Sequence, residues 1–156
     1  MRVTVVAVGT RMPDWVQQGV EEYAKRIRNE LNFKLLEIPL ASRSKSSQSE
    51  QYRAKEADAI LARLKAEDFV VALEVKGRQL STESLADRLR SFQAEGRNLS
   101  LLIGGPDGLH ESCTQRADDC WSLSPLTLPH TIARITVVEQ LYRAHTILRG
   151  HPYHRA

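Results

Sequence analysis

Short apolar runs rich in β-branched residues alternate with segments of helical periodicity along this 156-residue chain, and this alternation limits its possible folds more than any other feature. The runs predict five strands, at Val3–Val8, Phe33–Ile38, Phe69–Glu74, Leu99–Ile103 and Trp121–Leu123. Neighbouring parallel strands need crossover connections, which helices usually supply. The sequence therefore predicts one α/β domain over residues 1–156, with a largely parallel sheet flanked by helices and ligands at the strands' C-terminal ends.

Helical periodicity predicts four longer helices, over Asp14–Arg28, about Ser49–Lys65, a segment that follows Ser81 as N-cap, and about Thr131–Arg149. Asp14 is expected to cap the first helix, whose buried face is expected to carry Trp15, Gly19, Tyr23 and Ile27. The second is expected to face inward through Ile60, Leu61 and Leu64. After the last helix, Gly150 suits a left-handed cap and Pro152 prevents continuation, so the C-terminal residues are predicted to be non-helical.

The composition is close to the average of soluble globular proteins. Hydrophobic residues make up 42% of the chain and charged residues 26%, so neither disorder nor a membrane protein is indicated. Lys and Arg exceed Asp and Glu by 22 to 19, a mild basic bias that permits an anionic partner. Cys113 and Cys120 are too far apart along the chain for a disulfide and lack the paired spacing of a zinc site. We therefore expect a reduced, cytoplasmic protein that binds no metal.

A glycine-rich turn directly follows the fourth predicted strand, in the sequence LSLLIGGPDGL at Leu99–Leu109. Glycines at a strand end allow either a positive φ or the close approach of a ligand. Gly104 and Gly105 therefore indicate either a small-molecule pocket or simply a tight turn, and spacing alone favours neither.

A second unusual stretch, WSLSPLTLPH at Trp121–His130, alternates apolar residues with hydroxyl residues before the last helix. Here Leu123, Leu126 and Leu128 could enclose an adenine ring while backbone amides around Ser124 and Thr127 bind its edge. The alternative is a rigid connection between a strand and a helix. Because this loop and the glycine-rich turn follow consecutive strands, the two together favour one shared pocket.

The C-terminal segment combines a stacking ring, two imidazoles and a guanidinium, and it is preceded by Arg143 and Arg149. Such groups suit RNA, since arginine contacts phosphate, aromatic rings stack on bases and an imidazole can accept a proton. Composition alone nevertheless favours a frayed chain end.

Other polar features are assigned structural roles. His130 and His145 are interpreted as structural histidines of the last helix, and His110 as an exposed helix start. The Ser-rich loop Ala41–Ser49, which contains Arg43 and Lys45, is predicted to be the segment most able to move.

Five segments together resemble the RlmH family of SPOUT methyltransferases. They are AVGTRMPDWV at Ala7–Val16, LLIGGPDGL at Leu101–Leu109, SLSPLTLPH at Ser122–His130, VVEQLYRA at Val137–Ala144 and HPYHR at His151–Arg155. Their order and spacing are far more specific than any one segment, and the match spans nearly the whole chain. The sequence departs from the family at Pro125, where relatives often carry a small residue, and at Asp107, which replaces a frequent Glu.

The resemblance implies a SPOUT-type α/β fold with a C-terminal trefoil knot, a homodimer formed through the knotted region, and S-adenosylmethionine as cofactor. It implies that the substrate is N3 of a pseudouridine in the 23S rRNA of the ribosome. The cofactor would lie against Leu73, Gly104, Gly105, Leu123, Ser124, Pro125, Leu126, Thr127 and Leu128.

The implied reaction is an in-line attack of N3 on the sulfonium methyl group, for which no metal is required. His154 is the candidate base, Tyr153 would stack on or orient the target base, and Arg143 would hold phosphate or offset charge. The predicted RNA contacts are Arg149, His151 and Arg155.

Two other functions remain open at this point. A nucleotide-dependent oxidoreductase would also have glycines at strand ends, but no G-x-G-x-x-G motif opens any predicted helix. A non-catalytic ribosome assembly factor could use the same basic segment without chemistry. Binding of S-adenosylmethionine would separate these classes.

Overall fold

The computed structural model describes residues 1–44 and 48–155. Within these ranges, strands and helices alternate along the chain. The strands are β1 (Val3–Val8), β2 (Lys34–Ile38), β3 (Phe69–Gln79), β4 (Leu99–Ile103) and β5 (Asp119–Ser122). The helices are α1 (Asp14–Ile27), α2 (Ser49–Leu61), α3 (Thr82–Glu95), α4 (Glu111–Arg116) and α5 (His130–Leu148). None of these helices is long and apolar enough to cross a membrane.

The five strands form one parallel sheet in the order β2-β1-β4-β3-β5. The two central strands, β1 and β4, are buried along their whole length. Alternate β1 residues point to opposite faces: Val3 and Val5 pack with α1, α3 and α5, whereas Val6 and Val8 pack with α2 and α4. Helices on both faces explain why these strands are nearly continuous apolar runs, and the predicted α/β class is confirmed.

The strand boundaries depart from the sequence predictions on the β3–β5 side of the sheet. β3 runs five residues beyond Glu74, to Gln79, and its pairing with β5 shifts register between Leu73 and Arg78. β5 begins at Asp119 and ends at Ser122, before the predicted end at Leu123. This irregular stretch of β3 matters because it borders the candidate site.

Two predictions about α1 are wrong. The N-cap is Pro13, which offers no side-chain cap, and Asp14 is the first helical residue. The buried face carries Val16, Val20, Ala24 and Ile27, whereas Trp15 is 53% exposed. The predicted stripe is thus rotated by one residue, and only Ile27 belongs to the observed buried face.

The ends of the other helices agree better with prediction. The Ser81 hydroxyl accepts a hydrogen bond from the Ser84 amide at 3.0 Å, which confirms the predicted cap of α3. α2 ends at Leu61 rather than Lys65, and its buried residues are Tyr52, Glu56, Ala57 and Ile60, so Leu61 and Leu64 are only half-buried. Gly150 has φ 67° and ends α5 as predicted.

The tail, defined as residues 151–155, is non-helical as predicted and packs against α5. The predicted movement of the Ser-rich loop falls partly on residues 45–47, which lie outside the described residues. Strand order does not determine how the chain threads, so the trefoil knot stays a prediction.

Candidate functional site

A pocket of about 430 Å³ lies at the C-terminal ends of β4 and β5 and beside the middle of β3, at the edge where a parallel α/β sheet commonly binds ligands. This strand-end pocket is lined by β3 residues 73–76, the segment 103–106 with 108 and 109, loop residues 123, 124 and 126–128, and His130 and Ala133 of α5. The glycine-rich turn and the loop after β5 therefore form walls of one cavity.

Most residues predicted to hold the cofactor line this pocket. Leu73, Gly104 and Gly105 do so, as do the loop residues 123, 124 and 126–128. Pro125 does not line it and is exposed. The prediction that the whole loop 123–128 contacts the cofactor therefore leaves Pro125 as the one residue of the loop that does not line the pocket.

The glycine turn, residues 104–109, is a tight turn as well as a pocket wall. The Gly108 amide donates to the Gly105 carbonyl at 3.0 Å, and Gly108 has φ 80°. A Cβ at Gly104 would lie 2.6 Å from the Gly108 carbonyl carbon and 2.8 Å from the Leu109 nitrogen. Because these are backbone atoms, Gly104 is required for the turn to close.

The loop after β5 is shaped by its own hydroxyl groups. The Ser122 hydroxyl accepts from the Ser124 amide at 3.3 Å, and the Ser124 hydroxyl accepts from the Leu126 amide at 2.9 Å. Among the amides around Ser124 and Thr127 that were predicted to bind a ligand, those of Ser124 and Leu126 are therefore already hydrogen-bonded within the loop. The amides of Thr127 and Leu128 make no hydrogen bond to the described residues, so donors remain at the pocket wall.

Sequence reasoning missed the contribution of β3 beyond Leu73. Residues 74–76 line the pocket, and Gly77 allows β3 to approach β5, since a Cβ there would lie 2.7 Å from the Trp121 carbonyl carbon. The signal in the sequence was a glycine inside a strand-like run, which often marks a bulge or close backbone approach.

Sequence reasoning also missed the buried Arg134 on α5. Its side chain is 1% exposed, Nη1 donates to Glu37 at 2.6 Å, and Nη2 donates to the Gly9 carbonyl at 3.1 Å. These contacts tie α5 to the ends of β1 and β2.

His130, one turn before Arg134 on α5, lines the pocket, and burial together with the Arg134 charge lowers the pKa of its imidazole. The pocket wall therefore presents a neutral ring near pH 7.

The residues predicted to be catalytic lie together against α5, next to Glu139. The Tyr153 hydroxyl donates to Glu139 Oε1 at 3.1 Å, and Arg143 Nε donates to the same oxygen at 2.8 Å. The Arg143 guanidinium lies over the Tyr153 ring at 4.7 Å from its centroid. Burial and the Glu139 hydrogen bond raise the pKa of Tyr153 to about 12, so its phenol stays protonated and can donate.

His154 is held by groups on both ring nitrogens. Nε2 lies 3.0 Å from Glu83 Oε1 on α3, and Nδ1 lies 3.3 Å from Arg143 Nη1. Because a guanidinium can only donate, Nδ1 is the acceptor and Nε2 carries the proton of the neutral ring. The lone pair of His154 is therefore directed at Arg143, and the ring must shift before it can accept a proton from a substrate.

The structure does not bring the tail to the strand-end pocket. Residues 151–155 do not line it, and the tail instead lies on the side of α5 that faces α3. Among the residues predicted to contact RNA, Arg149 pairs with Glu30 at 3.0 Å, His151 accepts from the Tyr153 amide at 3.2 Å, and Arg155 is exposed. Within one protomer, the predicted cofactor and catalytic groups thus form two separate clusters.

The sequence matches the family described as "Predicted SPOUT methyltransferase" over residues 1–154. The ribosomal RNA large subunit methyltransferase H of Saccharophagus degradans is 51% identical over 155 residues, which cover 99% of this chain and 100% of the relative. The protein of the same name from Hahella chejuensis is 48% identical, with 99% of each chain covered.

Among solved structures, the tRNA (m1G37) methyltransferase of Aquifex aeolicus shares the fold with a TM-score of 0.56 and 14% sequence identity. The alignment covers 92% of this chain and 70% of that chain. The family match and the near-full-length relatives agree with the resemblance carried by the five sequence segments. The chain belongs to the SPOUT methyltransferase family, in the group of proteins named ribosomal RNA large subunit methyltransferase H.

Proposed function

We propose that this protein acts in the cytoplasm as one domain that methylates N3 of a pseudouridine in the 23S rRNA of the ribosome. The names of its relatives and the family membership support this function over a nucleotide-dependent oxidoreductase. The observation that carries the proposal is the strand-end pocket, whose walls are two of the segments that carry the family resemblance. A non-catalytic assembly factor would not need such a pocket.

SPOUT methyltransferases use S-adenosylmethionine, and the strand-end pocket fits this molecule. Leu73, Leu123 and Leu128 supply apolar surface for an adenine ring, and the free amides of Thr127 and Leu128 can donate to its edge. When bound, the cofactor supplies a methyl group on a sulfonium that is already an excellent leaving group. The residues of this chain then have to place the acceptor nitrogen and take its proton.

We propose that the reaction needs no metal ion. The described residues Glu50, His110 and Glu111 do place ligand-type atoms within 4.8 Å of one another. However, His110 Nδ1 accepts a hydrogen bond from the Ser112 amide at 3.1 Å as the cap of α4. In the neutral ring, Nε2 then carries the proton and offers no lone pair to a metal.

The proposed enzyme is a homodimer in which the tail of one protomer supplies the groups that act on the substrate base, beside the strand-end pocket of its partner. Support comes from the separation of the two clusters within one protomer. It also comes from exposed apolar side chains at the starts of α1 and α5 and on the pocket rim, namely Trp15, Ile132 and Leu126, which are 53%, 37% and 73% exposed. Burial of these side chains against a second copy would remove apolar surface from water.

In the proposed site, the tail cluster of Tyr153, His154 and Arg143 handles the substrate base. The Tyr153 ring, fixed by its hydroxyl's hydrogen bond to Glu139, can stack on or orient the base, and the Arg143 guanidinium can offset negative charge as N3 loses its proton. His154 accepts that proton once RNA displaces it from Arg143. Arg149, His151 and Arg155 are proposed to contact the surrounding RNA backbone.

Methyl transfer from labelled S-adenosylmethionine to ribosomes that lack the modification tests this function. The wild-type protein should label 23S rRNA, whereas an assembly factor would bind ribosomes without transferring label. Leu126→Asp tests the pocket, because cofactor binding would cover its exposed side chain and desolvate the new carboxylate. Wild-type cofactor affinity in this variant would place the cofactor elsewhere.

A further inference from the structure

The chain segment after β2 packs on the outer side of the glycine turn. Leu40 is 45% exposed, and its Cδ2 atom would lie 3.3 Å from a Cβ built at Gly105. The following residue, Ala41, donates its amide to Glu56 Oε2 of α2 at 3.1 Å. This segment therefore connects α2 to residues 104–106, which form one wall of the strand-end pocket. The segment itself does not line the pocket.

Arg43 lies at the centre of this connection. Its Nη2 forms an ion pair with Asp107 of the glycine turn, and its Nη1 donates to the Ala41 carbonyl at 3.0 Å and lies 3.6 Å from Glu56. The guanidinium also stacks on Tyr52 of α2, 4.8 Å from the ring centroid. The hydrogen bond to Asp107 and the neighbouring carboxylates raise the pKa of Arg43, so it remains charged.

Asp107 is the one residue of the glycine turn that does not line the strand-end pocket. Its carboxylate faces Arg43 instead, while the residues on both sides of it, Pro106 and Gly108, form the pocket wall. A second arginine, Arg53 on α2, donates to the Leu109 carbonyl at 3.2 Å. Two arginines thus hold the turn from outside the pocket.

We propose that Arg43 is a positioning residue for cofactor binding, which fixes the glycine turn through Asp107 and so shapes one wall of the pocket. This inference rests on the proposed binding of S-adenosylmethionine in that pocket. Without the Arg43 contact, the turn samples other conformations and must be ordered when the cofactor binds, which weakens affinity.

An RNA-binding role fits Arg43 less well. Its single positive charge is shared by the carboxylates of Asp107 and Glu56, so the local net charge of the three groups is negative. A phosphate group would have to displace Asp107 and would be repelled by both acids. The contacts of Arg43 therefore favour positioning over a direct phosphate contact.

The test is a double-mutant cycle on cofactor affinity, measured by calorimetry with S-adenosylmethionine. Arg43→Met and Asp107→Asn should each weaken binding by about three- to tenfold, the range expected for a partly exposed, charge-assisted contact. The double variant should be no weaker than the weaker single variant, because both changes break the same contact. Arg43→Lys should recover part of the loss by restoring the charge.

Arg90→Met is the matched control, because it also breaks an arginine–aspartate ion pair: Arg90 pairs with Asp87 at 2.9 Å on the exposed face of α3. This variant should bind the cofactor as the wild type does. In methyl transfer to ribosomes, Arg43→Met should raise the KM for the cofactor and leave kcat within about twofold, since Arg43 does not line the strand-end pocket. A merely structural role would lower both affinity and thermal stability.

Four results would overturn the inference: wild-type affinity in Arg43→Met, losses that multiply in the double variant, a loss of kcat at saturating cofactor, or a loss of thermal stability that accompanies the loss of affinity. Failure of the proposed function is a separate outcome. It would appear as wild-type protein that does not bind S-adenosylmethionine, or as Leu126→Asp that binds it normally.

Discussion

Gly104 shows how one missing side chain shapes the candidate site. A Cβ at this position would collide with the backbone of Gly108 and Leu109, which cannot move without opening the turn. At the neighbouring Gly105, a Cβ would instead meet side-chain atoms rather than backbone, those of Val8 and Leu40 at 3.0 and 3.3 Å. The two adjacent glycines therefore have different constraints: the backbone of the turn excludes a side chain at Gly104, whereas neighbouring side chains limit the space at Gly105.

We expect Gly104→Ala to weaken S-adenosylmethionine binding by about tenfold or more, because the turn that forms the pocket wall cannot close. Gly105→Ala serves as the control and should cost no more than about threefold. Calorimetric affinities of the two folded variants check the prediction. Equal affinities for both variants would contradict this reading of the turn.

At the residue scale, the sequence could predict features whose causes are local. Glycines at a strand end, a hydroxyl-rich loop and the cap at Ser81 all depend on residues a few positions apart. The ion pairs of Arg134 with Glu37 and of Arg43 with Asp107 join residues 97 and 64 positions apart. Periodicity contains no information about such partners, so both pairs required the structure.

At the scale of elements, the tail and α5 form a unit that can be separated from the pocket. Deleting residues 153–156 should abolish methyl transfer and leave cofactor affinity nearly unchanged, because residues 153–155 do not line the strand-end pocket. His154→Ala alone should lower the single-turnover rate by about 100-fold if the imidazole takes the N3 proton. A wild-type rate in His154→Ala would exclude it as the base.

The packing of α5 also predicts a pH dependence of stability. Burial lowers the pKa of His145; the negative charge of Glu30 opposes this shift, and the positive charge of Arg149 adds to it. Burial also lowers the pKa of His130. Both imidazoles therefore bind protons more readily in the unfolded chain than in the folded protein. Their contribution to the free energy of unfolding is complete above the unfolded pKa of about 6.5, and it is lost as the pH falls through their folded pKa values. Each histidine contributes at most about 1.4 kcal/mol per pH unit.

We expect Tm to fall between pH 7 and pH 5, and to fall less in His145→Phe, which keeps a buried ring but cannot titrate. Thermal denaturation of the two proteins across this range checks the prediction. Other titrating groups affect both proteins alike, so an identical decline would show that His145 does not contribute.

The elements themselves were predicted unevenly, for physical reasons. β1 and β4 were predicted to the residue because they are buried on both faces and are nearly continuous apolar runs, interrupted only by Thr4 and Ser100. The extension of β3 depends on pairing with β5 across a register shift, which composition does not encode. The buried face of α1 was wrong because Trp15 is apolar yet exposed.

At the scale of the whole molecule, alternation of strands and helices predicted a parallel sheet but not its strand order. The order β2-β1-β4-β3-β5 places β3 between β4 and β5 and brings the ends of β4 and β5 to its two sides, and with them the two loops of the pocket. The separation of pocket and tail within one protomer could not be read from the sequence, where the loop after β5 and the tail both lie in the C-terminal third.

We predict a homodimer at micromolar concentration, since a partner protomer would join tail and pocket and cover exposed apolar residues. Ile132→Glu should shift sedimentation profiles toward monomer and reduce methyl transfer, with the fold retained. Gln93→Glu, on the exposed side of α3, is the control for added charge and should remain dimeric. Wild-type protein that sediments only as a monomer would contradict the composite site.

The most direct test of the proposed function is nucleoside mass spectrometry of 23S rRNA from ribosomes incubated with the protein and S-adenosylmethionine. The proposal predicts one added methyl group at N3 of a pseudouridine, present with wild-type protein and absent with the protein lacking residues 153–156. Ribosomes that bind the protein without gaining a methyl group, or that gain it on another base, would contradict it.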